Sequence, residues 1–560
     1  MQGKHIERKL KILQTSDIHG NLFPFNFITR QPWKGGMSRI STLIKDKREK
    51  YGENLILLDN GDILQGQPSV YFYNYIDTQN AHLCASVMNY MKYDIGNMGN
   101  HDIETGRNVF ERWAKECDFP ILGANITERA TRENYLPPYK IIERNEIRLA
   151  VLGMVTPAIP AWLPENIWKG LHFNDMERSA RYWMQEIIEK ESPDIIIGLF
   201  HAGSAGNEQA GFKENPSMEI ACKVCGFDII LMGHDHVRSC QSIQNNWGDE
   251  VVLMNPGSNG HFVSEIDLIC SIDNGKIIKK EITGQLLSTD NIEIDSDYMS
   301  FFKLQYDSVE SFVSRKIGYF KNRISTREAF FGSSAFVDFI HSLQLSISHA
   351  DISFVAPLSF DAHIDEGDVF VSDMFSLYKY ENLLYVLELT GKEIKDYLEY
   401  SYSIWTNQMT SSDDCLLLFR AQNEGKKWEL WDKLAYPSYN FDSAAGINYT
   451  VDVTKPQGQK INILSMSNGT SFKFEQKYKV AMNSYRGNGG GELLTEGAGI
   501  SKDKLKERLL YASEKDLRYY MLKHIEERKI IEPVALKQWK FIPEAWVEPA
   551  IERDYITLFG

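Results

Sequence analysis

Two residue pairs at spacing two open the chemical reading of this 560-residue chain. Asp17-x-His19 ends the segment KILQTSDIH, and His234-x-His236 ends DIILMGHDH. In an extended segment, residues two apart point the same way, so each pair can grip one cation. Three further ligand-type residues stand at the ends of apolar runs. Asp62 ends NLILLDNGD, Asn100 lies in YDIGNMGNHD, and His201 follows IIIGLF. A carboxylate can bridge two cations with its two oxygens, Asn supplies a neutral oxygen, and His supplies a nitrogen. Each has a bland alternative when taken singly: a strand-end Asp caps a helix, and a lone His is a hydrogen-bonded structural residue. Five such motifs, each after an apolar run and mostly beside a Gly, together point to a dinuclear metal site.

The elements that must position these residues are also visible. Residues 10 to about 285 alternate short β-rich apolar runs with longer amphipathic stretches. That pattern predicts buried strands joined by crossovers. In α/β sheets ligands bind at the carboxyl ends of strands, so five strand ends are expected to converge on one site. We therefore divide the chain into a domain over 1–285, an interdomain helix or linker over 286–325, and a second domain over 326–560. The linker helix is expected to present Phe301, Phe302, Leu304, Val309, Phe312 and Val313 on its apolar face.

As an ordered set, D-I-H, G-D, G-N-H-D, a strand-end His and G-H-D-H resemble the calcineurin-like metallophosphoesterases. The resemblance spans residues 10–285. It implies a four-layer αββα sandwich in an α/β chain. It also implies that one metal takes Asp17, His19, Asp62 and His236, while the other takes Asp62, Asn100, His201 and His234. In the nucleotidase branch Gln or Asn often stands where this chain has His236. Two divalent ions, roughly 3.5–4 Å apart, orient a phosphoryl group and generate hydroxide at neutral pH. The mixed donor set suits Zn, Mn, Fe or Co. His101, next to Asn100, is expected to stabilise the transition state and protonate the leaving group. Glu104, three residues on, is expected to orient it, whereas Asp102 would point away in an extended segment.

The second half resembles the C-terminal α+β substrate-binding domain of 5′-nucleotidases, and within them the 2′,3′-cyclic-nucleotide 2′-phosphodiesterase/3′-nucleotidase branch. FGSSAFVDFIHSLQL, LYKYENLLYVLELTGKEIKDYLEYS and AMNSYRGNGGGELL carry it. The 5′-nucleotidase branch has a G-G-G-I-R-type segment whose Arg contacts substrate; the matching stretch here, 356–360, has none. By the resemblance, Tyr439 and Tyr485 sandwich the base, and Asn483 and Arg486 hydrogen-bond the base or sugar. The glycine run 489–491 lacks the Lys-Ser/Thr of a phosphate loop and is expected to serve close packing at the pocket wall.

The expected activity is two-metal hydrolysis of nucleotide phosphoesters: 2′,3′-cyclic nucleotides to 3′-nucleotides, then to nucleoside and phosphate. The alternatives are a 5′-nucleotidase or UDP-sugar hydrolase, and a non-catalytic nucleotide-binding surface protein. A net charge of −15, from 61 basic and 76 acidic residues, excludes a duplex nucleic-acid binder but not a small anionic substrate. Seven cysteines do not form a disulfide framework, and Cys222-x-x-Cys225 is expected to be buried helix-face thiols. No transmembrane run appears. The resemblance implies a periplasmic or cell-envelope protein whose signal peptide was removed; otherwise it is cytoplasmic. Oligomeric state is left open.

Overall fold

The computed structural model describes residues 6–206, 208–209 (backbone only), 211–273, 276–420 and 433–560. The chain divides into two compact units, Met1–Val313 and Ser314–Gly560.

The first unit is built on two six-stranded sheets. In one, the order is Lys276–Ser288, Phe262–Asp273, Ile6–Thr15, Leu55–Asp59, Ile95–Asn97, Ile121–Leu122. In the other it is Ser239–Gln244, Glu250–Asn255, Ile229–Met232, Ile195–His201, Ile147–Val155, Tyr139–Arg144. The strands that carry the ligand motifs run parallel to one another within each sheet; antiparallel strands close both edges of the second sheet and one edge of the first, whose other edge is the parallel strand Ile121–Leu122.

Strand period two sorts the apolar side chains into layers. Ile12, Ile56 and Leu58 face Ile197, Leu199 and Leu231 in one dry layer between the sheets. Leu13 and Leu57 turn to helices on the outer side of the first sheet. Ile196, Phe200 and Ile230 turn to Met184, Ile187 and Ile220 from helices on the outer side of the second. The result is the expected αββα sandwich. Burying each such side chain contributes about 1.5–3 kcal/mol.

At the carboxyl ends of the strands the apolar layer gives way to amides that join the sheets. Gln14 donates to the Met232 carbonyl at 2.9 Å. Asn60 donates to the Phe200 carbonyl at 2.9 Å, and Asn97 to those of Met154 at 2.9 Å and Leu199 at 3.1 Å. These bonds satisfy buried backbone acceptors and tie together the strand ends that precede the ligand residues.

Residues 286–325 do not form one linker helix. Strand Lys276–Ser288 ends in this stretch; helices Ser296–Phe301 and Lys303–Val313 follow; strand Lys316–Phe320 begins the second unit. Tyr298, Phe302, Val309 and Val313 are buried in the first unit's core, whereas Phe301 and Leu304 are 64% and 78% exposed. The break between the two helices rotates the apolar face away from a single stripe.

The second unit contains a five-stranded sheet in the order Ser443–Ala445, Ile352–Val355, Lys477–Asn483, Leu383–Thr390, Leu509–Asp516. Helix Gly391–Trp405 packs an aromatic core against it, with Tyr397 stacked on Phe354 at 4.1 Å and Trp405 on Phe441 at 5.4 Å. No helix among the described residues is long and apolar enough to cross a membrane. Cys225 is exposed and Cys222 half-buried, so the pair is not the buried thiol face expected. Helix Ser217–Lys223 ends between them, and only the first lies on it.

Candidate dinuclear metal site

The D-x-H and H-x-H pairs converge by a route other than strand alternation. Strand Ile6–Thr15 stops two residues before Asp17, and strand Ile229–Met232 stops before His234. Asp17, His19, Asp62, His234 and His236 all take left-handed backbone conformations, with φ of 51°, 49°, 59°, 74° and 58°. This region is uncommon for residues with a Cβ and costs about 1–3 kcal/mol each. Hydrogen bonds hold the turns there: Asp17 N–H to the Gly61 carbonyl and His19 N–H to the Asp62 carbonyl, both 2.9 Å. Gly61 and Gly99 permit the close approach. A Cβ on Gly99 would lie 2.1 Å from Asp62 Oδ1, and one on Gly61 would lie 2.6 Å from the Gly99 nitrogen.

Asp102 knots the same two loops. Its carboxylate accepts from the backbone N–H groups of Asp62, Ile63, Leu64 and Gly99 at 2.8–3.0 Å. Burial, then the neighbouring Asp62 charge, pushes its carboxyl up to about 6 against those bonds. Asp102 lies on helix Asn100–Glu104, so it serves the loops and leaves His101 to Glu104. The sequence pattern expects Asp102 only to point away from His101; its place in G-N-H-D is the signal for this second role.

The seven expected ligands come together. Donor atoms of Asp17, His19 and His236 form one group and those of Asp62, His201 and His234 another, all within 4.8 Å inside each group. His19 Nε2 lies 3.0 Å from His236 Nε2, which lies 3.4 Å from Asp17 Oδ1. Asn100 Oδ1 lies 2.7 Å from His234 Nδ1 and 3.0 Å from His201 Nε2. Asp62 Oδ2 sits 3.1 Å from His201 Nε2, while Oδ1 accepts the His101 backbone N–H at 2.8 Å.

The residues fit a pair of cations. Asp62 Oδ2 is buried, and its contact with His201 Nε2 at 3.1 Å is not a well-formed hydrogen bond, which leaves an oxygen able to take a cation. Two imidazole nitrogens facing each other, as in His19 and His236, can share at most one proton. Burial, then His236, holds His19 down at about 3, so it is the neutral ligand form. Burial works against a charged His201 too, but Asp62 and Asp17 raise it to about 10. The carboxylates thus favour positive charge at the centre of the site. Backbone carbonyls assign the tautomers of two ligands: His201 Nδ1 is 2.6 Å from the Asn60 oxygen and His19 Nδ1 is 3.2 Å from that of Gln65. In both, Nε2 is left for the metal.

His101 stands at the edge of this cluster, its ring 5.4 Å from that of His19. Its Nδ1 is 2.5 Å from Glu104 Oε2. Burial opposes a charged imidazole, but Asp62 and Glu104 outweigh it and raise His101 to about 9. Two more groups around the ligands went unforeseen: Glu214 and Trp162, both against His234. Neither stands in a motif.

Of the residues expected to bind the nucleoside, Arg486 is corrected. It is 1% exposed, and its guanidinium forks onto Asp442 with both bonds at 3.0 Å. Its three remaining donors reach the Tyr439 carbonyl at 3.0 Å, the Asn440 side-chain oxygen at 3.3 Å and the Gly490 carbonyl. No donor is left for a base or sugar, because a buried guanidinium must be paired. Asn483 commits its side-chain oxygen to the N-terminus of helix Ser484–Gly487, accepting from Arg486 N–H at 2.8 Å. Tyr439 is 37% exposed and Tyr485 half-buried. Arg486 is common to both, since its guanidinium carbon lies 5.6 Å from the Tyr485 ring centre. Gly490 lies flat against that ring, where a Cβ would approach within 2.5 Å.

Residues 10–238 match the calcineurin-like phosphoesterase family, and residues 316–496 match the 5′-nucleotidase C-terminal domain. The trifunctional nucleotide phosphoesterase protein YfkN of Bacillus subtilis is 27% identical over 98% of this chain and 40% of its own length. This chain therefore spans only two fifths of that relative. A 2′,3′-cyclic-nucleotide 2′-phosphodiesterase/3′-nucleotidase of Haemophilus influenzae is 24% identical over 95% of this chain and 87% of that protein. The fold is shared with a Staphylococcus aureus protein solved in complex with alpha-ketoglutarate: TM-score 0.78 at 22% identity, over 95% of this chain and 100% of that one. The two family matches together occupy most of the chain: residues 10–238 belong to the calcineurin-like phosphoesterases and residues 316–496 to the 5′-nucleotidase C-terminal domains, the pairing of metal-dependent phosphoester hydrolases that work with two divalent cations.

Proposed function

We propose that the protein hydrolyses 2′,3′-cyclic nucleotides to 3′-nucleotides and then 3′-nucleotides to nucleoside and phosphate. The observation that carries the hydrolytic part is the pair of donor groups, Asp17–His19–His236 and Asp62–His201–His234, joined where the His234 N–H meets the Asp17 carboxylate at 3.2 Å, beside the His101–Glu104 pair. Asp17, His19 and His236 would hold one cation, Asn100, His201 and His234 the other, and Asp62 both. When bound, the cations supply Lewis-acid stabilisation of the phosphoryl oxygens and acidify the attacking water. The chain's own residues do the rest. Glu104 fixes the Nδ1 proton of His101, which frees Nε2 to donate a proton to the leaving oxygen.

His101→Ala is expected to lower kcat about 10²–10⁴-fold on 3′-AMP. On p-nitrophenyl phosphate, whose leaving group departs without a proton, the loss should be far smaller. Equal losses on both substrates would remove the proton-donor role.

The nucleotide part of the reading draws on the second unit. Tyr439 and Tyr485 are gathered around Arg486, in segments that resemble the cyclic-phosphodiesterase branch. Stacking on aromatic rings contributes about 1–3 kcal/mol per base with little base preference. The stretch 356–360 carries no arginine, which favours this branch over 5′-nucleotidases. We expect kcat/KM on 2′,3′-cyclic AMP and 3′-AMP to exceed that on 5′-AMP by about tenfold or more. A preference for 5′-AMP would overturn the assignment. A periplasmic or cell-envelope location belongs to the same reading and rests on the resemblance alone.

A further inference from the structure

Each ligand histidine has a second nitrogen, and what that nitrogen meets differs. For His201 and His19 it meets a backbone carbonyl. His234 is different. Its Nδ1 turns to the ligand cluster, 2.7 Å from Asn100 Oδ1, and its Nε2 lies 2.9 Å from Glu214 Oε1. Glu214 is the one carboxylate outside the ligand set that pairs with a ligand histidine among the described residues.

Glu214 is held from its main chain. Its carbonyl accepts from Thr156 Oγ1 at 2.9 Å, and the Thr156 N–H donates to the His201 carbonyl at 2.9 Å. The neighbouring Asn215 side chain accepts from the Gly203 N–H at 2.6 Å. The loop that follows His201 is therefore tied back to the end of the His201 strand, and it delivers Glu214 to His234. Trp162 covers the His234 ring, with centroids 5.6 Å apart and planes 29° from parallel. The ring is thus fixed by a carboxylate at one nitrogen and an indole on one face. A carboxylate on the remote nitrogen of a metal-ligating histidine fixes the tautomer, orients the ring and strengthens the ligand.

We propose that Glu214 is a positioning residue. It holds His234 for Nδ1 ligation and so sets the affinity of the Asn100–His201–His234 cation position independently of the Asp17–His19–His236 position. The proposal rests on the dinuclear reading above. Its scope is narrow because Glu214 bonds to His234 and to none of the other ligands.

The test is zinc binding, measured by calorimetric titration of the chelator-stripped full chain. The unmodified protein should bind two zinc ions. Glu214→Ala should weaken one of the two about 10- to 100-fold and leave the other unchanged. Glu214→Gln keeps an acceptor oxygen and should fall between. The thermal transition of the metal-free protein should be the same in all three, which separates positioning from folding. Two unaltered affinities in Glu214→Ala, or equal weakening of both sites, would overturn the proposal. Fewer than two zinc ions in the unmodified protein would instead overturn the dinuclear reading itself.

Discussion

Asp62→Asn will abolish turnover, lowering kcat/KM on any phosphoester substrate by at least about a thousandfold, and will reduce the metal content from two ions per chain. The size follows from the position of one side chain. Asp62 is the carboxylate of the donor group it forms with His201 and His234, and the family resemblance makes it the ligand common to both cations. Its Oδ2 is buried against His201 Nε2 at 3.1 Å, and its Oδ1 holds the backbone N–H of His101. Replacing the carboxylate by an amide preserves shape and the Oδ1 acceptor, so the His101 loop stays in place. What is lost is the charge that two cations would share. A thousandfold loss corresponds to about 4 kcal/mol, which is within what metal stabilisation of a phosphoryl transition state supplies. Metal analysis and kinetics on the same sample provide the check. A variant that kept two ions and activity within tenfold would show that the ions bind elsewhere.

Arg486→Ala will destabilise the second unit severely, by about 3–5 kcal/mol. The mechanism is the exposure of unpaired groups in a dry place. Arg486 forks onto Asp442, which also accepts the Tyr397 hydroxyl, and it closes the chain at Tyr439 and Gly490. Removing it strands a buried carboxylate and two backbone carbonyls at once. For a unit of this size the transition should fall by roughly 10 °C. Arg486→Lys cannot reproduce the fork and should recover little. Calorimetry decides between this and direct substrate contact. An unchanged transition with a raised KM would restore the substrate-binding role that the burial of Arg486 argues against.

The contrast between these two arginine and aspartate positions shows what each level of structure contributes. D-x-H, G-D, G-N-H-D and G-H-D-H were legible because they are local: each couples an apolar run, which predicts a strand, to a polar break, which predicts its end. In each sheet the ends of parallel strands share one edge, so residue order gathers the candidate ligands, whereas their division between two cations is what the family resemblance implies. The layers were legible for the same reason, because period two sends Leu13 and Leu57 one way and Ile12, Ile56 and Leu58 the other. Tertiary structure decided matters that depend on distant partners. It set which nitrogen is available in His201, His19 and His234, through Asn60, Gln65 and Glu214. It placed the Ser296–Val313 helices on the first unit's core and turned Arg486 from a surface donor into a buried anchor. It also replaced the expected extended pairs with left-handed turns at Asp17, His19, His234 and His236. Side-chain type and spacing are properties of a short segment. Burial, tautomer and backbone strain are instead settled by the groups packed around it, which lie tens to hundreds of residues away along the chain.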